Sequence, residues 1–186
     1  MIGLKRDTVR VVDHDPGWAV LGAEACLQVK QAGDNLIADV QHVGSTAVPD
    51  LPAKPILDLA AAVTTLEAIP ELVEKLEAIG YIYRGDGKDE GGHLFIRESE
   101  PDIRTIHLHV VTLDDVQWTN YLRFRDLLRQ DASLRERYAK LKQELKDRFP
   151  VDRKAYTDSK HDFIRAIIDS KAQHPIAGYG LHAHRT

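Results

Sequence analysis

The chain has 186 residues, enough for one ordinary domain that buries roughly 70% of its unfolded surface and needs no disulfide or metal to fold. Its 43% apolar and 29% charged residues are those of a soluble globular protein and exclude a disordered one. A net charge of −4 argues against a dedicated nucleic-acid binder, which needs a basic face. Cys26 is the one cysteine, so no intramolecular disulfide forms, and the charged N-terminus does not read as a signal peptide. The longest largely apolar run, 55–63, is too short to span a bilayer. The expected location is the cytoplasm, away from membranes.

Val9–Val12 reads as a short strand, and Asp15-Pro16 starts a helix that runs to about Ala32. Trp18, Leu21, Ala25 and Val29 form its apolar stripe. Leu36–Val43 is expected to be a strand ended by Gly44. The segment from Ser45 to Pro55, with prolines at 49, 52 and 55, is a loop or single helical turn. Ile56–Val63 is apolar enough for a strand inside the sheet.

Leu66–Ile79 carries helical spacing and ends at Gly80. Tyr81–Arg84 begins a strand leading into a glycine- and charge-rich stretch, 85–92, expected to be a mobile loop. Leu94–Glu98 and Thr105–Val111 read as two more strands. Three helices come after them. They are marked by Trp118, Tyr121, Leu122 and Leu128, then Leu134, Tyr138, Leu141, Leu145 and Phe149, then Tyr156, Phe163, Ile164, Ile167 and Ile168. The expected fold is α+β (mixed α/β), a central mixed sheet with flanking helices and a helical C-terminal layer. Residues 1–172 read as a single domain and 173–186 as a flexible, histidine-containing tail.

Two places carry chemistry. At Gly44-Ser45-Thr46 a strand ends and a glycine lets the backbone approach a ligand. Two hydroxyl residues stand next at a candidate helix start, so Ser45 is either an N-cap or part of an anion site. Asp58 interrupts an otherwise apolar strand, where an ionised carboxylate costs several kcal/mol unless it is paired or metal-bound. It either pairs with Lys54 or an arginine, or it serves a site.

Gly44-Ser45 followed by Asp58-Leu59 resembles the opening of the nucleotidyltransferase superfamily pattern. More closely, His42–Pro49 with Lys54–Leu59 resembles the GrpB family, and the likeness continues through His107–Val111, Leu122–Arg129, Tyr138–Lys142, and Ala155-Tyr156-Thr157 with Lys160. The resemblance implies a nucleotidyltransferase-like fold, a domain that in some proteins is fused to a dephospho-CoA kinase. It also implies a Gly-Ser turn that holds nucleotide phosphates and an acidic strand that holds Mg²⁺. The second acidic position of the superfamily is Ala60 here, which puts a two-metal site in question.

His107 and His109 alternate on a strand and so share one face. Beside Asp58 they are either metal ligands or half-buried histidines bonded to neighbours. As ligands they would suit Zn, Mn or Fe better than Mg. His42 is placed to join them. Lys160 follows Tyr156 by one helical turn, where it either snorkels outward or meets an anion. Arg123, Arg125 and Arg129 lie on a basic helix, and Arg125 is nearest its apolar stripe. Arg125 and Arg97, which sits inside a strand, are candidate phosphate partners.

The expectation is therefore a metal-dependent nucleotidyltransferase-like protein for a nucleotide or other phosphorylated small molecule. Asp58, His107 and His109 are its catalytic and metal residues. Gly44, Ser45, Thr46, Lys54, Arg125, Tyr156 and Lys160 would hold the ligand. A divalent metal, Mg or Mn (Zn or Fe if the histidines ligate), and a nucleoside triphosphate are the expected cofactors. The alternatives are an inactive nucleotide- or CoA-binding module and a metalloenzyme of another class in the same cleft. The sequence indicates no particular oligomeric state.

Overall fold

The computed structural model describes residues 1–87 and 92–172; the expected tail, 173–186, and residues 88–91 of the expected glycine-rich loop lie outside them. Among the described residues a sheet of six strands forms: β1 (Leu4–Lys5), β2 (Ile37–Val43), β3 (Leu57–Val63), β4 (Tyr81–Asp86), β5 (His93–Glu100) and β6 (Ile103–Thr112). The order is β2-β3-β6-β5-β4, and β1 pairs antiparallel with the start of β6. Only β3 and β6 run parallel; β2–β3, β6–β5 and β5–β4 are antiparallel. The sheet is mixed, and the parallel pair lies inside it.

The helices are α1 (Gly17–Gly33), α2 (Ile69–Glu77), α3 (Val116–Gln130), α4 (Ala132–Arg148) and α5 (Arg153–Ala172). Asp115 and Asp131 cap α3 and α4, accepting the backbone N–H of Gln117 and Leu134 at 2.8 and 2.9 Å. On one face of the sheet Trp18, Ala25 and Val29 of α1, with Leu72 and Leu76 of α2, cover Leu57, Leu59, Ala61, Val63, Leu108 and Val110. On the other face Trp118 and Leu122 of α3 cover Val43, Ala60, Ala62 and Val111. The C-terminal layer packs outside α3, where Phe124, Leu127 and Leu128 meet Leu134, Tyr138, Phe163 and Ile167. Burying each such side chain is worth about 1.5–3 kcal/mol, so both layers are held mainly by apolar burial.

Three expectations need correction. The strand expected at Val9–Val12 is a single bridge, Val12 to Ala53; pairing in that region goes instead to β1. A short β-rich run has no strand to join unless an edge is free beside it. Gly85 and Asp86, expected in the loop, belong to β4. In α1 the buried stripe is Trp18, Gly22, Ala25 and Val29, whereas Leu21 is 39% exposed. The helix turns Gly22 toward the sheet because His42 lies there.

Two glycines set how closely the elements around the site approach one another. A Cβ on Gly22 would lie 2.2 Å from His42 Nδ1, so α1 can cross β2 only where a hydrogen replaces a side chain. Gly44 has φ 68° and ψ −170°, a region essentially confined to glycine, and a Cβ there would stand 2.6 Å from Asp58 Oδ2. Gly→Ala in a helix ordinarily stabilises by up to about 1 kcal/mol. Gly22→Ala is expected to do the reverse, costing roughly 1–3 kcal/mol. Gly44→Ala is expected to cost about 2 kcal/mol or more, because strain and clash coincide. Urea unfolding midpoints check both; a Gly22→Ala midpoint above wild type would refute the close approach of α1 to His42.

Candidate functional site

Parallel pairing aligns Asp58 with His107 and Ala60 with His109, while antiparallel pairing sets Val43 against Asp58. Asp58, His107 and His109 therefore share the face that α3 covers, at the end of the sheet where β2 runs out into Gly44. His107 Nδ1 lies 3.3 Å from Asp58 Oδ1. The histidine side chain is 11% exposed and the carboxylate 38%, so the imidazole stands behind and the carboxylate opens to solvent. Asp58 is less buried than its strand suggests, being the one residue of β3 that is not buried. Burial pushes the Asp58 carboxyl upward, but the His107 hydrogen bond, followed by the charges of His107, His109 and Lys54, outweighs it and holds the group at about 2. It is ionised throughout the physiological range.

His109 is on the same face, with its ring 5.4 Å from that of Tyr121. His42 is not: it points to the opposite face, against Gly22, and its Nε2 lies 2.9 Å from Thr46 Oγ1. Burial first, against the pull of Asp58, lowers His42 to about 4, so the ring is neutral at pH 7. Thr46, 2% exposed, is tied into this contact rather than presented to the cleft.

The Gly44–Ala47 segment is a single 3₁₀ turn, with Ala47 N–H donating to Gly44 O and Val48 N–H to Ser45 O. It is not the start of an α-helix, and its N–H groups are partly consumed, so it offers no sizeable dipole for an anion. The positive charge comes from side chains. Lys142 Nζ of α4 donates to Ser45 Oγ at 3.2 Å and to the Pro52 carbonyl. This lysine is 2% exposed and its ammonium lies 4.8 Å from the Tyr138 ring centroid. Lys160 Nζ and Lys54 Nζ stand 4.7 and 5.0 Å from the centroid of Tyr156, which is 1% exposed. Lys142 of α4 thus meets the Ser45 turn, while Lys54, from the loop before β3, and Lys160 of α5 gather at Tyr156.

The two candidate arginines go elsewhere. Arg125 donates from Nε to Asp126 at 2.7 Å and from Nη1 to Gln41 Oε1 and the His42 carbonyl at 3.1 and 3.2 Å. It braces the end of β2 from α3. Arg97 is on the opposite sheet face, bonded to Gln28 of α1 at 3.0 Å. Arg129, to which the sequence gives no role, donates twice to the Ala47 carbonyl, at 3.0 and 2.8 Å, and clamps the turn.

The largest omission from the sequence reading is Lys142. The signal was present: it follows Tyr138 by four and precedes Leu145 by three, on an apolar stripe, as Lys160 follows Tyr156. Burial, then repulsion from Lys160, pushes its pKa well below the ordinary 10.5, with Asp58 pulling back and Lys54 adding to the depression. Because the folded value is the lower one, the burden of a buried ammonium is full at low pH and disappears as pH approaches the ordinary lysine value. Stability of the wild type relative to Lys142→Met is therefore expected to improve as pH rises from 7 toward 10. The shift in the Tm difference should be roughly 2 °C or more. Parallel melting curves measure it, and a Tm difference that does not change with pH would refute a buried, charge-burdened amine.

Comparison with known proteins agrees with this architecture. A family model described as GrpB protein matches residues 8–170. A UPF0157 protein of Pseudomonas aeruginosa is 33% identical over 180 residues, 94% of this chain and 74% of that protein. The crystal structure of the conserved protein GrpB from Enterococcus faecalis superposes with TM-score 0.79 at 31% identity, covering 88% of this chain and 98% of that one. Cid1 poly(U) polymerase, in a structure with MgGTP bound, matches with TM-score 0.53 at 12% identity over 74% of this chain and 45% of its own. At that identity the likeness is one of fold, which is nucleotidyltransferase-like. A family match over most of the described residues, with a solved relative of the same architecture, makes this chain a member of the GrpB family.

Proposed function

We propose that this protein binds the phosphate chain of a nucleotide or another phosphorylated small molecule, CoA-type ligands included, at the Gly44–Ser45 turn. The observation that carries the reading is the buried Lys142 ammonium on Ser45 Oγ, with Lys54 and Lys160 gathered at Tyr156 beside it. A lysine that is 2% exposed is costly to bury, and an anion against it offsets that cost. Gly44 lets the turn lie close to the strand, and Ser45 supplies a hydroxyl that can both donate and accept. Arg125 and Arg129 keep β2 and the turn in place through the His42 and Ala47 carbonyls. The MgGTP of the Cid1 structure belongs to that protein; on a shared fold it supports a nucleotide as the ligand class here.

Metal-dependent transfer fits this donor set poorly. Ala60 replaces the second carboxylate and is fully buried with Trp118 and Leu122. Asp58 Oδ1 and His107 Nδ1 face each other, and the His109 ring lies tilted against Tyr121. Among the described residues no three His, Cys, Asp or Glu side chains are grouped to hold a metal ion. A second reading, turnover of the bound ligand, is favoured by one feature: an ionised, half-exposed carboxylate held by His107 beside the phosphate site. In it Asp58 would take a proton from an attacking hydroxyl.

Calorimetric titration with ATP, CoA and pyrophosphate tests the binding, with wild type, Ser45→Ala, Lys142→Met and Asp58→Asn compared. Lys142→Met is expected to weaken binding by about tenfold or more, corresponding to about 1.4 kcal/mol. Asp58→Asn should bind as tightly as wild type or more so, because it removes a negative charge near the anion. Wild type that binds none of these, or Lys142→Met that binds equally well, would overturn the proposal. Loss of product formation in Asp58→Asn with binding retained would establish the second reading.

A further inference from the structure

A hollow of about 400 Å³, within the range of small-molecule sites, is lined by neither Asp58 nor Lys142. His14 comes to it from just before α1, Thr46, Ala47 and Asp50 from the segment after β2, Arg129 from the end of α3 and Arg135 from the start of α4. Both signs of charge therefore face one space. Arg129 is already committed: its Nε and Nη2 donate to the Ala47 carbonyl, and its Nη1 lies 3.6 Å from Asp126 Oδ1. Arg135 Nη1 donates to the Leu128 and Arg129 carbonyls at 3.0 and 3.4 Å. Those acceptors are neutral, and among the described residues Arg135 forms no ion pair. Asp50, exposed and with φ 62°, forms none either. His14 Nδ1 is buried without a hydrogen-bond partner, so polar capacity beside the hollow is also unfilled.

We propose that this hollow binds a small zwitterion of the amino-acid class, with its carboxylate on Arg135 and its ammonium on Asp50. A guanidinium offers a carboxylate two parallel N–H bonds, and Arg135 is held in place by the α3 carbonyls for that contact. Asp50 and Arg135 line the same space without pairing to each other, so each keeps its charge for a ligand. A simple anion would be repelled by Asp50, and a simple cation by Arg129 and Arg135. A ligand bearing both signs meets a partner at each end. Ala19 and Pro49, which also line the hollow, supply apolar surface for its carbon skeleton. The proposal is independent of phosphate binding at Ser45. The two sites share one turn, since Ser45 meets Lys142 while Thr46 and Ala47 border the hollow.

The test is calorimetric titration of L-alanine, L-serine and L-leucine into the full chain, with acetate and ethylamine as probes that carry one charge each. At least one amino acid is expected to bind about threefold or more tighter than either single-charge probe. Asp50→Asn should weaken that amino acid by about threefold or more while leaving acetate unchanged or tighter. Asparagine adopts the positive φ at position 50 as readily as aspartate, so the backbone is preserved. Arg135→Gln should weaken the amino acid and acetate alike, with melting curves verifying its fold. No binding of any of the three amino acids would overturn the proposal. So would acetate that binds as tightly as the best of them, or an Asp50→Asn variant that binds that amino acid as wild type does.

Discussion

The Lys142 ammonium on Ser45 Oγ joins the helical layer to the turn that ends β2, and the arrangement of the site depends on it. A buried amine must find oxygen acceptors, and here they are Ser45 and the Pro52 carbonyl, the two sides of the proline-rich segment between β2 and β3. That segment is held from three directions. Arg129 clamps the Ala47 carbonyl, Thr46 meets His42, and Gly44 rests directly on Asp58. A turn with so few degrees of freedom presents the same surface in every molecule.

The position of the site also has a topological cause. Ligand sites of parallel sheets lie at the C-terminal ends of the strands. In this sheet only β3 and β6 are parallel, and Asp58 is the second residue of β3, near its N-terminal end. Asp58 stands at that end because antiparallel β2 ends beside it and leads into the Gly44 turn. The charge therefore does not come from a helix N-terminus, since the residues after Gly44 make one 3₁₀ turn. Side chains supply it from α4, α5 and the loop before β3.

Asp58 and His107 illustrate how environment assigns roles within a pair. In the familiar hydrolytic arrangement a buried carboxylate orients a more exposed histidine. Here the histidine is the more buried partner, and it stabilises a half-exposed carboxylate as the ionised form. The more exposed group of the pair is thus a hydrogen-bond acceptor, not an imidazole. With Ala60 packed into the α3 interface, nothing on β3 repeats that charge.

Much of the layout was legible from the residues alone. Apolar periodicity marked β3 and β6, the helices from α2 onward, and the Gly44-Ser45 break with an acidic interruption at Asp58, because each depends on neighbours a few positions away. The strand alternation of His107 and His109 likewise foretold their common face. Tertiary structure alone decided that β3 and β6 lie side by side, that α1 turns Gly22 and not Leu21 inward to admit His42, and that Arg125 is engaged by Gln41 and the His42 carbonyl. It also decided the fate of Lys142, which meets a serine 97 residues away. A lysine on a helical stripe reads the same whether its stem snorkels to water or its ammonium is sealed inside, and only the packing of distant elements distinguishes the two.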